Sequence, residues 1–289
     1  MGDATTTTKP RPVGDGKQVR AGGIEIHYVE AGNGPPLILL HGGAVSTNAI
    51  WNGHPFAYVS HMGRFAEHFR VIAADTRGSG RTRHDGGPVS FDRLADDVLA
   101  LADALDLERP MICGFSEGGI TATIAAIRSP ERVRAVVNHA GHDLFNPGAP
   151  TFAMSRQMFG GSPTATRADH EAFERAFGSS PEMRATLEIL KMDQDAGGGP
   201  GHWKRYLELA FDRVSSSPGY TFDDLAKITA PTLILTGDRD RFCSVEEAVV
   251  AYRRLERGEL GILPAVGHFI PPAAIAATID FLRRHTTNP

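Results

Sequence analysis

The sequence predicts an α/β fold: a doubly wound, mostly parallel sheet carrying an inserted helical cap. Three observations lead there. Short, unbroken apolar runs recur along the chain, segments of helical periodicity lie between them, and one long stretch interrupts the alternation. Apolar runs without polar alternation are the mark of strands buried on both faces, which parallel sheets require. Alternating β and α units then give the doubly wound arrangement.

The runs, in order, are Leu37 to Leu40, Val71 to Ala74, Met111 to Cys113, Ala135 to Val137, Leu233 to Leu235 and Gly261 to Leu263. A hairpin from Val19 to Glu30 precedes them. Helical spacing appears at Leu94, Val98, Leu101 and Leu105, at Ile120, Ile124 and Ile127, at Val245, Val249 and Tyr252, and at Ile275, Ile279 and Leu282. Ser244, with Glu247 three residues on, suits a capping box for the third of these helices. From Asp143 to Lys227 there is no strand-like run. Amphipathic pieces such as Ala172 to Phe177 and Trp203 to Val214 are separated there by glycine and proline clusters at Gly160 to Pro163 and Gly197 to Gly201. The organisation expected is a flexible tail over 1–18, a core formed by 19–142 and 229–289, and a helical cap over 143–228.

Composition narrows the function classes. The 289 residues are 41% apolar and 22% charged, which excludes disordered, collagen-like and disulfide-scaffold chains. A net charge of -4, from 30 basic and 34 acidic residues, supplies no cationic face for nucleic acid or anionic lipid. Cys113 and Cys243 sit in apolar surroundings without metal-ligand spacing, so no metal site is expected and a reducing compartment suits them. The amino terminus has no signal-peptide core. Its Met1-Gly2 with Thr6 matches a myristoylation pattern too short to outweigh chance, and no run approaches the roughly 20 residues of a membrane span. A cytoplasmic location is expected. Oligomeric state is not legible.

The chemistry starts at Gly114-Phe115-Ser116-Glu117-Gly118-Gly119, which leaves the Met111 strand and enters the Ile120 helix. Composition alone would place a bare G-x-S-x-G in roughly one such chain in six, so the strand-to-helix context carries the weight. A turn this sharp strains the serine backbone and requires small residues two before and two after it. It lifts the Ser116 hydroxyl above the sheet at the positive end of a helix, where the Glu117 N–H faces any oxyanion forming on a bound carbonyl.

Four further segments stand in order around this one: His41-Gly42-Gly43-Ala44 after the Leu37 strand, Asp75-Thr76-Arg77-Gly78-Ser79-Gly80 after the next, Gly237-Asp238-Arg239-Asp240 after the Leu233 strand, and Gly267-His268-Phe269 after the Gly261 strand. On these motifs the chain resembles the α/β-hydrolase family over nearly everything after residue 20. The order Ser, Asp, His is the order that family uses. The resemblance implies Ser116 as nucleophile, His268 as base and Asp240 as the acid that orients it; Asp238 is then a turn former, and Asp238 and Asp143 stand as the alternatives for the acid. Dehalogenases and epoxide hydrolases of this fold carry an acidic nucleophile, which Ser116 argues against.

Each role also has a physical need. A serine hydroxyl attacks at neutral pH only when a base takes its proton, and histidine titrates near the working pH. A carboxylate must then hold the imidazole tautomer. The second oxyanion donor is expected at the Gly43 N–H, with Ala44 as its neighbour and alternative. His41 reads as a residue pinning the oxyanion turn, His139 as an interior residue, and Arg77 as a brace for its own turn through backbone bonds. The Glu117 side chain either leans toward the site or, the preferred reading, is a solvated carboxylate in the first helical turn. Phe145, Met154, Met158, Phe159 and Trp203 have the composition of helix-to-sheet core, yet a cap over Ser116 must present some apolar side chains. Phe115, Phe145, Met158 and Trp203 are taken as candidate substrate contacts.

These readings converge on a cofactor-free serine hydrolase acting on a small or medium apolar ester, lactone or related carbonyl compound, by an acyl-enzyme. The same triad also serves C–C bond hydrolysis, perhydrolysis, amide cleavage or a lyase reaction, and nothing in the sequence separates them. A ligand receptor that keeps the triad but scarcely turns over is the alternative from another class.

Overall fold

The computed structural model describes residues 16–43, 46, 58–179, 181–215 and 217–286. Residues 1–15 of the expected tail, and Ala44, lie outside the described residues. Lys17 and Gln18, assigned above to the tail, already belong to the first strand.

Among the described residues eight strands form one sheet: β1 (Lys17–Ala21), β2 (Ile24–Ala31), β3 (Pro36–Leu40), β4 (Arg70–Ala74), β5 (Met111–Phe115), β6 (Val136–His139), β7 (Thr232–Gly237) and β8 (Gly258–Leu263). Their spatial order is β1-β2-β4-β3-β5-β6-β7-β8. The β1–β2 hairpin is antiparallel and joins β4 antiparallel, while every pairing from β4 through β8 is parallel. Each apolar run read from the sequence falls within a strand or overlaps one.

Helices α1 (Met62–Ala66), α2 (Phe91–Ala104) and α3 (Glu117–Arg128) precede β6. Alternation along the strands decides which helices each face receives. Ile38, Leu40, Ile72, Ile112, Val136 and Ile234 share a core with α2 and α3, whereas Leu37, Leu39, Val71, Met111 and Cys113 pack on the opposite face with Met62 and Phe65 of α1. Both faces are therefore dry, which is why these strands could be unbroken apolar runs. Full burial of each such side chain stabilises the fold by about 1.5–3 kcal/mol.

Between β6 and β7 the chain leaves the sheet and forms α4 (Thr151–Gly160), α5 (His170–Phe177), α6 (Pro181–Gly198) and α7 (His202–Val214); α8 (Val245–Arg254) and α9 (Pro272–Arg284) then complete the core. The Ser244 hydroxyl accepts from the Glu247 amide at the start of α8, as its sequence suggested. Helix α6 runs through Gly197 and Gly198, which the sequence reading took as a break. The bare Cα at 197 is what lets α6 lie against the turn after β4: a Cβ there would stand 2.0 Å from the Gly80 carbonyl oxygen. None of the helices among the described residues is long and apolar enough to cross a membrane.

The insertion is bonded to loops at the carboxyl ends of the strands. Asp193 Oδ2 accepts from the Ser46 amide at 2.7 Å, and Gln194 accepts from the Gly80 amide at 2.9 Å while donating to Ser79 Oγ at 3.1 Å. Thr151 Oγ1 donates to the Phe242 carbonyl at 2.8 Å. Arg77, expected to bond the backbone of its own turn, instead reaches away from it: it donates through Nε and Nη2 to Asp97 on α2 at 2.8 and 2.6 Å, and to the Gly22 carbonyl in the β1–β2 hairpin at 3.0 Å. Nothing in the motif around Arg77 marks these distant acceptors.

Burial pushes the Asp193 carboxyl up to about 7; the Ser46 amide opposes this and the Asp75 carboxylate adds to it. A raised folded-state pKa means the native chain keeps a proton that the unfolded chain has released, so stability is lost as pH rises from about 4 through 7. Asp193→Asn keeps an acceptor for Ser46 without that titration. Its Tm relative to wild type should rise between pH 5 and pH 8 by several degrees in thermal denaturation; a difference independent of pH would contradict this assignment.

Candidate active site

The turn from β5 into α3 sets the geometry. Ser116 has φ 51° and ψ -120°, a conformation that a side-chain-bearing residue adopts only under constraint. Two close approaches impose it. A Cβ on Gly114 would sit 2.1 Å from the Gly118 carbonyl carbon, and one on Gly118 would sit 2.6 Å from the Leu40 and His41 carbonyl oxygens. The Ser116 amide donates to the His139 carbonyl on the neighbouring strand at 2.8 Å, holding the turn down while the side chain projects from it.

The loop after β8 brings His268 Nε2 to 3.1 Å from Ser116 Oγ, and the loop after β7 brings Asp240 Oδ2 to 2.8 Å from His268 Nδ1. With Nδ1–H donating to Asp240, Nε2 is left to accept the serine proton. Asp240 Oδ1 accepts from the amides of Phe242 at 2.8 Å and Cys243 at 3.0 Å. Burial acts to raise the Asp240 pKa, but the His268 ring and these two amides outweigh it and hold the carboxyl below its ordinary range. The carboxylate is fully enclosed, and the imidazole is 21% exposed, so the base is reachable from outside while its partner is not.

The loop after β3, expected to supply an oxyanion donor, lies beside this turn. His41 Nδ1–H donates to the Gly42 carbonyl at 2.8 Å, and its Nε2 accepts from the Thr76 amide at 3.1 Å. Burial lowers the His41 pKa, which favours the neutral ring that this double role needs. The pinned loop places Gly43 against Glu117: a Cβ on Gly43 would stand 2.6 Å from Glu117 Oε1. The Glu117 carboxylate therefore lies directly against the Gly43 backbone.

A family model described as the alpha/beta hydrolase fold matches residues 35–272. The chain belongs to the alpha/beta hydrolase fold family. Among relatives, a 2-hydroxy-6-oxo-2,4-heptadienoate hydrolase of Pseudomonas putida is 27% identical, covering 88% of this chain and 90% of that protein. A 3-oxoadipate enol-lactonase of Acinetobacter baylyi is also 27% identical, over 84% of this chain and 86% of its own. Among solved structures, a meta-cleavage product hydrolase from Pseudomonas fluorescens superposes with a TM-score of 0.71 at 23% identity, covering 93% of this chain and 98% of the other. These relatives support a hydrolase and do not select its substrate.

Within this alpha/beta hydrolase the other candidates separate clearly. Asp238 accepts from the Val266 amide at 3.2 Å and ties the loops after β7 and β8 together. Asp143 does not bond His268; it accepts from the Cys243 thiol at 3.0 Å, and burial pushes it up to about 6. His139 is interior, as expected, and burial lowers it to about 3. Among the described residues, one set has metal-ligand spacing, Asp240, Cys243 and His268 within 4.8 Å. Two of its members are already bonded to each other, and the thiol, pushed far up by burial, stays protonated on Asp143.

Four expectations about side chains need correction or refinement. The Glu117 carboxylate is not solvated: it is 9% exposed and accepts from Arg213 on α7, Nη2 at 2.6 Å and Nε at 3.2 Å. Phe145 and Trp203, taken as substrate contacts, are packed into the core shared by the sheet and the insertion. The Trp203 ring meets the His170 ring edge and lies beneath the Lys191 and Lys204 ammoniums. Met158 is half-buried at the margin of the same core. Phe115 does reach the site: its ring centroid is 4.8 Å from that of His268, and Phe242 approaches the imidazole at 5.0 Å. Sequence reasoning missed Phe242 and Arg213, because neither belongs to a motif.

Asp240→Asn retains the acceptor but favours the wrong imidazole tautomer, so kcat on any hydrolysed ester should fall by about 10⁴-fold with the fold intact. Steady-state kinetics beside a circular dichroism melt checks this. Loss of less than tenfold would transfer the acid role elsewhere, with Asp143 the next to test.

Proposed function

We propose that the protein is a serine hydrolase cleaving a small or medium carboxylic ester or lactone through an acyl-enzyme. The observation that carries the reading is the unbroken hydrogen-bonded row from Ser116 Oγ through the His268 ring to Asp240, mounted on a strained turn. As Ser116 Oγ bonds to the substrate carbonyl carbon, its proton passes to His268 Nε2, and the imidazolium is stabilised by Asp240. The carbonyl electrons move onto oxygen, where the Gly43 and Glu117 amides receive them. Such donors contribute on the order of 3–4 kcal/mol to an oxyanionic transition state. The oxygen leaving group departs with the proton from His268. Water then attacks the acyl carbon by the same route in reverse and frees Ser116.

The insertion over 143–228 serves in this reading as a cap over the site. An uncharged substrate is favoured because the buried guanidinium that the cap brings to the elbow is neutralised by Glu117, leaving it no free charge for a substrate carboxylate. Phe115, beside the imidazole, is the best placed of the proposed pocket residues. C–C bond hydrolysis on the same triad is the second reading, favoured by the names of the Pseudomonas relatives.

A panel of p-nitrophenyl esters of increasing chain length, simple lactones and a vinylogous diketone distinguishes these chemistries. The expected result is turnover of short and medium esters or lactones, lowered at least about 10⁴-fold in kcat/KM by Ser116→Ala. Exclusive cleavage of the diketone would select the second reading. Tight ligand binding without turnover of any member would replace both with a receptor.

A further inference from the structure

Two charged groups lie buried beside the expected oxyanion site, and the triad uses neither. Glu117 projects from the residue whose amide is one oxyanion donor, and its carboxylate rests against Gly43, which supplies the other. Arg213 comes from α7 of the cap, with a side chain 1% exposed. Its Nη1 donates to the Leu209 carbonyl at 3.1 Å, and its guanidinium carbon stands 5.8 Å from the Tyr206 ring centroid, so its direction is fixed from within α7. Burial opposes the guanidinium charge, but the Glu117 carboxylate outweighs that cost and raises the Arg213 pKa.

A carboxylate in this position, alone, would repel the negative charge that develops on the substrate oxygen a few ångströms away, and burial would magnify the repulsion. A guanidinium alone would attract it. The pair is close to neutral, and it is made only when α7 is seated on the elbow. We propose that Arg213 is a positioning residue which, by neutralising Glu117 and holding it against Gly43, completes the oxyanion site only when the cap is docked. The inference rests on the serine-hydrolase reading for the identity of the oxyanion site. It also explains why a glutamate follows the nucleophile without spoiling it.

The charge account fixes a sign that a merely structural pair would not. Breaking either half of a buried ion pair destabilises the fold, so both single variants should melt lower. Reactivity should split. Arg213→Met leaves the carboxylate uncompensated and should slow Ser116 by roughly 10- to 100-fold, in kcat more than in KM. Glu117→Gln, which keeps the backbone donor, leaves the guanidinium uncompensated and should slow Ser116 clearly less than Arg213→Met does. The neutral Glu117→Gln/Arg213→Met double variant should be several-fold faster than Arg213→Met alone.

The readouts are the second-order rate of Ser116 labelling by a fluorophosphonate and kcat and KM on p-nitrophenyl acetate, each beside Tm. Equal losses in the two single variants, tracking Tm, would overturn the clamp, as would a double variant no faster than Arg213→Met. If Arg213→Met does not fold, Arg213→Lys replaces it, with a smaller loss expected and the same rescue. Labelling that follows this pattern in a protein without ester turnover would sustain the clamp and reject the hydrolase reading. Failure of wild-type Ser116 to label at all would overturn both.

Discussion

The backbone of one residue governs this molecule. Ser116 is held at a positive φ between a buried parallel strand and a buried helix, and every other part of the site is placed relative to it. The conformation is costly for an L-residue, of order 1–3 kcal/mol, and survives because glycines at 114 and 118 let the strand, the helix and the β3 loop approach to contact. Without that approach the serine would continue the strand and its hydroxyl would point into a dry core. With it, the hydroxyl emerges where the loops after β3, β7 and β8 also end. The sheet is thus the device that converts three distant stretches of sequence into one site.

The insertion is part of that device. Its hydrogen bonds reach the loops around Ser116: Thr151 bonds the carbonyl of Phe242, whose amide bonds Asp240, while Asp193 bonds Ser46 after β3, and Arg213 bonds Glu117 at the elbow. Each contact ends on backbone or on a buried charge, where a misplaced group is expensive. Movement of these helices would therefore be felt at the Asp240 loop, the loop after β3 and Ser116 together.

Much of this was legible from residues alone. The strands were visible because a sheet dry on both faces needs unbroken apolar runs, and Gly114 through Gly118 was visible because only small residues permit that turn. The family resemblance located His268 and Asp240, which lie far from Ser116 in sequence. What stayed hidden has a common cause. Glu117 and Arg213 are 96 residues apart, and either alone reads as a solvated charge; only the fold shows that each buries the other. Arg77 likewise finds Asp97 twenty residues on, across an element boundary. Trp203 and Phe145 are apolar and lie in the cap segment, so composition could not say which side of the cap they face. Gly197 punctuates the sequence but not α6, because its missing side chain is used for contact with Gly80, not for a turn.

The claim on which the account turns is that Ser116 itself becomes acylated. Incubation with p-nitrophenyl dimethylcarbamate, whose carbamoyl group leaves a serine slowly, followed by intact-protein and peptide mass spectrometry, tests it directly. The account predicts one carbamoyl group per chain, on the peptide containing Ser116, and none in the Ser116→Ala protein. Modification confined to another residue, or ester turnover that continues while Ser116 stays unmodified, would contradict it.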